Sequence, residues 1–210
     1  FIPKEQKSRT AWLAAGGLVF AFIANLFTFN QSGDAFLGLF VADRFGGFMN
    51  MTILATGFIS ILLSIDYIKR IGIEKGEYYT LMLFAISGMM FMVSANDLIV
   101  VFVALELLSI PLYVLSAFRA PDLKSEESGI KYFILGAFAS AFFVYGAALV
   151  YGATGTTNLT QIFQTINSLD LSQNTNVILL LLGGGLVLVG LGFKVAVVPF
   201  HAWTPDVYEG

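Results

Sequence analysis

The chain has 210 residues, of which 57% are hydrophobic and 12% charged, with a formal net charge of −3. Soluble domains carry about 25% charged residues, so the composition argues against a water-soluble globule, and the negative balance offers no basic surface for nucleic acid. With no cysteine, thiolate metal sites, iron–sulfur ligation and disulfides are excluded from this chain.

A helix needs about 20 mostly apolar residues to cross a ~30 Å hydrocarbon core. Six runs meet that requirement in chain order: 11–29, 47–65, 78–95, 98–118, 130–151 and 177–198. The expected fold is an all-α polytopic transmembrane helical bundle, a single domain over 1–210. Lys4, Lys7 and Arg9 precede the first span. Lys69, Arg70 and Lys75 lie between the second and third, and Arg119, Lys124 and Lys131 between or just inside the fourth and fifth. Nine of the eleven basic residues therefore share one side, which the positive-inside rule assigns to the cytoplasm or its organellar equivalent. Across the membrane, Arg44 stands alone, and "SAND" (94–97) and the polar loop 152–176 carry no basic residue. Within that loop, Leu159, Ile162, Phe163, Ile166 and Leu169 have the spacing of a short amphipathic helix. "GGGLVLVGLG" (183–192) lacks the preceding strand of a nucleotide loop and reads as a helix-packing surface. Phe1 and Gly210 carry no signal-peptide pattern or tail composition, as expected for a piece of a longer chain.

Two charges lie where the hydrocarbon should exclude them. Glu106 falls inside the fourth span and Lys194 inside the sixth. An ionisable group at mid-bilayer costs about 2.5–3.5 kcal/mol even on the lenient insertion scale, so such groups face protein or a water-filled path. In contact, they would form a pair in which each sets the other's preferred protonation. Each is followed five residues later by a proline, Pro111 and Pro199. A proline cannot donate to the carbonyl four residues back, which frees the carbonyls of Leu107 and Val195. Plainer readings exist: an interhelical hydrogen bond for Glu106, snorkelling for Lys194 and Lys131, and an interfacial imidazole for His201. Asp66 and Asp97, at span ends, read as solvated. At 1.5 Å per residue, Glu106 lies about 12 Å and Lys194 about 25 Å from the outer ends of their spans, so contact requires that the sixth span be displaced. That span should also break: helix to about 194–197, irregular backbone around 199–204, then a restart at Pro205 capped by Thr204. Irregular backbone at this depth must line protein or water, which would bring His201 near Lys194.

"LELLSIPLYVL" (105–115), "ESGIKYFILGAFASAFFVYGAALVYGATGT" (127–156) and "GFKVAVVPFHAWTPDVYEG" (192–210) resemble the antiporter-like subunits of respiratory complex I. The ending "TPDVYEG" looks most like the subunit N (subunit 2) branch. The resemblance implies a proton-translocating membrane subunit of NADH:quinone oxidoreductase, built on inverted helical repeats. Its redox chemistry would lie elsewhere in the complex. It further implies that the six spans are the family's second to seventh, with the first span and the C-terminal half absent. By similarity, Glu106 matches the fifth-span glutamate, Lys131 the sixth-span lysine, Lys194 the seventh-span lysine, and His201 the histidine beyond the broken seventh span. These four are the candidate proton-translocating residues. The expected partners are a neighbouring antiporter-like subunit, small membrane subunits and lipid. The expected location is a bacterial inner membrane or an organellar energy-converting membrane. No cofactor or metal is expected in this chain. The rival readings are a subunit of a multi-subunit Na⁺/H⁺ antiporter or membrane-bound hydrogenase, and a non-transporting scaffold.

Overall fold

The computed structural model describes residues 8–168 and 174–209. Its elements are helix α1 (Ser8–Thr28), strands β1 (Gly33–Ala35) and β2 (Phe40–Ala42), and helices α2 (Arg44–Arg70), α3 (Glu77–Ser94), α4 (Leu98–Ser116), α5 (Leu123–Thr154), α6 (Leu159–Ser168), α7 (Asn174–Lys194) and α8 (Thr204–Glu209). Six of the helices, α1 to α5 and α7, are long and apolar enough to cross a membrane. They alternate in direction, so the basic connections share one side.

Caps set several boundaries away from those that hydropathy suggests. Asp43 accepts from the Gly46 N–H at 2.6 Å and starts α2 ahead of its apolar run. Asp122 accepts from the Lys124 N–H at 3.0 Å, so α5 begins at Leu123 and runs 32 residues. Most of the stretch 119–129, expected as a connection, is thus the first turns of α5. α6 occupies the amphipathic stretch, with Ile162 buried; Leu169 lies outside the described residues.

The connection expected over 30–46 contains a two-stranded antiparallel hairpin, Gly33 opposite Ala42. Its tip turns through three successive left-handed residues, Phe36, Leu37 and Gly38. "SAND" is not a solvated turn. Asn96 donates from its backbone N–H to Leu39 at 2.9 Å and accepts from the Leu159 N–H at 2.9 Å. Asp97, expected in solvent, is only 3% exposed. Its carboxylate caps α4 at the Ile99 N–H, 2.8 Å away, and accepts from the Thr157 hydroxyl at 2.6 Å. A carboxylate at a helix N-terminus meets otherwise unpaired N–H groups and the positive end of the helix dipole, which is why Asp97 is drawn inward.

Three apolar clusters follow the chain. α1, α2 and α3 share Ala11, Leu18, Leu54, Ile61 and Ile86. α4, α5 and α6 share Leu105, Phe143 and Ile162. The third cluster joins α4, α5 and the segment after α7. α5 and α7 approach through glycine: a Cβ added at Gly146 would lie 2.6 Å from the Gly183 carbonyl oxygen, and one at Gly190 would lie 2.9 Å from the Ala139 carbonyl oxygen. Gly184 and Gly185 meet nothing within 4 Å, so only part of the glycine run packs helices.

Two tests follow from this architecture. Cysteines introduced at Lys69 and Gln164 should react with an impermeant thiol reagent from opposite faces of sealed vesicles; reaction from one face would refute the alternation. Gly146→Ala should overpack the α5–α7 contact, at a cost of about 1–3 kcal/mol, and lower the yield of assembled protein. Gly184→Ala should leave that yield unchanged.

Candidate functional site

α7 ends at Lys194, before the proline expected to stop it. The Val197 N–H reaches back to Gly192 at 3.0 Å and the Ala196 N–H to Phe193 at 3.1 Å. Ala196 sits at φ 52°. This is the double-bonded, left-handed helix ending usually built on glycine, here made on an alanine at a cost of about 1–2 kcal/mol. The chain stays irregular through 203 and becomes helical again at Thr204. Thr204 does not cap as expected, because its hydroxyl is buried without a hydrogen-bond partner among the described residues. The backbone is instead turned by the Thr204 N–H donating to His201 at 3.1 Å. Nor does the break fall at mid-membrane. α7 has 21 residues, enough to span about 31 Å by itself.

The break is packed down by Trp203. Its indole is 8% exposed, stacks on Tyr132 of α5 with centroids 4.5 Å apart, and donates to the Phe193 carbonyl at 3.2 Å. Tyr132 in turn meets Tyr113 of α4 edge-on at 4.7 Å. Lys194 points into this aromatic wall. Its Nζ donates to the Tyr113 hydroxyl at 3.2 Å and lies 5.1 Å from the Tyr113 ring, 5.7 Å from Tyr132 and 5.7 Å from Phe193. A hydrogen bond to a charged group contributes about 1.5–3 kcal/mol, and a well-placed ring face ~0.5–2 kcal/mol. The insertion cost reaches about 2.5–3.5 kcal/mol only at mid-bilayer, so at the end of α7 these contacts more than offset it. A half-buried ammonium can therefore stay at the end of α7.

Glu106 does not touch Lys194, so the displacement of the sixth span that contact would require is not made. Among the described residues no ion pair includes either. Glu106 is half-buried on α4 and accepts from the Ser140 hydroxyl of α5. The offset in depth is retained: Lys194 meets α4 at Tyr113, seven residues or about 10 Å beyond Glu106 along the helix. Because seven residues make two turns, Glu106 and Tyr113 share one face of α4. On α5, Ser140 lies opposite Glu106, and Gly136, one turn away, lies opposite Tyr113. A Cβ at Gly136 would fall 2.0 Å from the Tyr113 oxygen, so this glycine makes room for the phenol. The two prolines also differ. α4 continues as a helix through Pro111, which is buried, while the nearby Ser109 hydroxyl is taken up by the Leu105 carbonyl. The helix path is thus unbroken beside Glu106, although Pro111 still leaves the Leu107 carbonyl without its usual donor, and only the stretch around Pro199 is irregular.

The other two candidates lie apart from this line. Lys131 is on the half-exposed surface of α5, paired with Glu127 at 2.7 Å and with Asp206 of α8 at 2.8 Å. Lys124 adds a pair with Glu209 at 3.1 Å, so two lysines tie α8 to α5. His201 is exposed on the irregular segment, with no hydrogen bond from its imidazole among the described residues. The break does not carry it to Lys194, because Trp203 is the side chain turned inward.

A protein-family model described as NADH:quinone oxidoreductase/Mrp antiporter, transmembrane, matches residues 95–210. The chain belongs to this family. Its antiporter-type domain begins at the "SAND" turn and contains Glu106, Lys131, Lys194 and His201. NADH-quinone oxidoreductase subunit N of Chloroflexus aggregans is 48% identical over the whole chain, which spans 43% of that relative's length. A chain of respiratory complex I from Thermus thermophilus superposes with a TM-score of 0.77 at 36% identity, over 97% of this chain and 42% of that one. A chain of the Mrp complex from Dietzia shares the fold alone, with a TM-score of 0.77 at 23% identity over 97% of this chain and 39% of that one.

Ser140, Gly136, Tyr113 and Trp203 were not singled out from the family member's sequence. The phenol could have been suspected from its i+7 spacing to Glu106; the glycine and tryptophan become meaningful only once α5 is docked. Gly136→Ala should displace the Tyr113 phenol and free the Lys194 ammonium, while Gly152→Ala, in open space, should not. The rate of Lys194 modification by an amine reagent in the detergent-solubilised protein reads this directly. Equal rates in the two variants would contradict the assigned role of Gly136.

Proposed function

We propose that this chain is part of a proton-translocating subunit of an NADH:quinone oxidoreductase, of the subunit N type, and that protons move along the line Glu106, Tyr113 and Lys194. The single observation that carries this reading is the phenol held between the two charged helices. Tyr113 accepts from Lys194 at 3.2 Å and lies two turns from Glu106 on the same helix face. A phenolic hydroxyl accepts with its lone pairs and donates its own hydrogen. A proton leaving the ammonium can therefore enter the phenol as the phenol's own hydrogen passes to a water molecule, and water would carry it over the roughly 10 Å of α4 that separates Tyr113 from Glu106. Ser140, bonded to the carboxylate, is a second hydroxyl that holds one oxygen of Glu106 and leaves the other for the proton. No redox chemistry is assigned to this chain; the electrons would pass elsewhere in the complex.

Lys131 and His201 belong to this proposal at the basic-side surface. Lys131, held by two carboxylates, offers a charged relay facing water, and His201 an imidazole on the exposed segment beyond the break. The 48% identity to an NADH-quinone oxidoreductase subunit N favours this reading over the antiporter alternative, since the Mrp complex chain shares only 23%.

The test uses the intact complex reconstituted in vesicles. Glu106→Gln, Lys194→Ala and Tyr113→Phe should each lower proton uptake about tenfold, equivalent to ~1.4 kcal/mol on the rate-limiting barrier. Electron transfer from NADH to an artificial soluble acceptor should persist. Wild-type uptake in the Glu106 and Lys194 variants would reduce both groups to structural hydrogen bonds. Wild-type uptake in Tyr113→Phe alone would remove the phenol from the path.

A further inference from the structure

Between the last turns of α4 and the first turns of α5, on the basic side, lies a groove of about 490 Å³. Its wall is apolar: Val114, Ala117, Ile130 and Phe133 flank it, and Tyr113 closes its inner end. Where Gly129 faces Ala117, the added Cβ would approach the alanine Cβ to 2.5 Å, so the two helices meet there and splay apart beside it. At the mouth stands Lys75, its Nζ 5.4 Å from the Phe118 ring centroid. Phe118 is held edge-on against Tyr78 at 5.4 Å. Tyrosines such as Tyr78 favour the headgroup level of a bilayer.

Charge bookkeeping makes the mouth unusual on this side. Arg119 pairs with Asp122, Lys124 with Glu209, and Lys131 with Glu127 and Asp206. Lys75 has Glu74 and Glu77 as chain neighbours, yet among the described residues it forms no ion pair. Lys69 and Arg70, in the last turn of α2, are likewise without an ion pair among the described residues. An apolar furrow that opens on a membrane face at the level of unpaired cations matches one ligand chemistry: acyl chains below and a negative headgroup above. Basic pockets between transmembrane helices on the cytoplasmic side bind anionic lipid headgroups for this reason. From Phe118 to Tyr113 the furrow extends about 7–8 Å into the bilayer at 1.5 Å per residue, the depth of the first part of a chain.

We propose that this groove is a site for an anionic phospholipid, whose phosphate pairs with Lys75 and whose acyl chain lies along α4 and α5 against the ring of Tyr113. The lipid is thereby the outer wall of the Lys194 site. It fills, with hydrocarbon, the face of Tyr113 turned away from the ammonium and keeps water from reaching the phenol sideways.

The experiment uses the intact complex in vesicles of neutral phosphatidylcholine doped with a phosphatidylglycerol bearing a photoreactive group on its acyl chain. After illumination, cross-linked peptides are mapped and counted. Labelling of residues 113–118 and 129–133 should exceed that by an equally labelled phosphatidylcholine at least fivefold. Lys75→Gln should remove that excess, while Lys124→Gln, at a lysine already paired with Glu209, should leave it. Equal labelling by both lipids would mean only annular contact and overturns the proposal, as does an excess that survives Lys75→Gln. Absence of label from either lipid would mean that a protein subunit covers the groove, and the proposal fails. A second variant, Val114→Phe, adds bulk to the exposed wall of the furrow without touching the charge and should likewise abolish the excess label.

Discussion

Everything around the end of α7 answers one requirement, that of an ammonium group placed among apolar helices. Water is scarce there, so Lys194 needs acceptors from protein, and its partners are one phenol and three ring faces. Those rings must be rigid to serve. Tyr132 is held by the stacked Trp203, Trp203 by its bond to Phe193, and Tyr113 by the space that Gly136 leaves. The break after α7 is part of the same solution, because a helix continuing past Lys194 would carry residue 203 about 13 Å away along the axis. The chain has to fold back to bring the indole under the lysine.

The fold places this assembly through α5, the helix that packs against α4, α7, α6 and α8. Its glycines at 136 and 146 act on different neighbours, the first accommodating a phenol and the second a backbone. At the outer end, Asn96, Asp97 and Asn158 join the hairpin, the α3–α4 turn and the start of α6. At the inner end, Lys124 and Lys131 hold α8. The site therefore sits between two polar clasps, with an apolar stretch of close helix contact between them.

The six spans and the interruption near Pro199 were legible because they follow from local properties: run length, charge and the missing proline N–H. The positions of Glu106 and Lys194 were equally plain as misplaced charges. Their offset in depth was legible too, but not whether packing would close it. That depends on how far α7 is shifted along α5, and that shift is set by Gly183 and Gly190 rather than by either charged residue. Asp97 was misjudged because its neighbour in space, Thr157, lies sixty residues away in the chain. Trp203 and Tyr132 were invisible for another reason: an aromatic residue in an apolar segment looks the same whether it faces lipid or a lysine. The hairpin was missed because its tip uses Phe36 and Leu37 in left-handed geometry, where glycine or asparagine would have announced a turn.

The length of α5 has a mechanical consequence. Thirty-two residues without an interruption make a rod of about 48 Å, longer than the hydrocarbon it crosses. Lys131 lies fifteen residues, or about 22 Å, from the glycine crossing at Gly146. A tilt of about 5° around that crossing would move the Lys131 end by about 2 Å, enough to part a hydrogen bond whose useful range is a few tenths of an ångström. Gly136 and Ser140, closer to the pivot, would travel about 1.3 Å and 0.8 Å. The rod is thus geared: a small rearrangement at the site is amplified at the surface clasp, and a push on α8 arrives at the phenol reduced in amplitude.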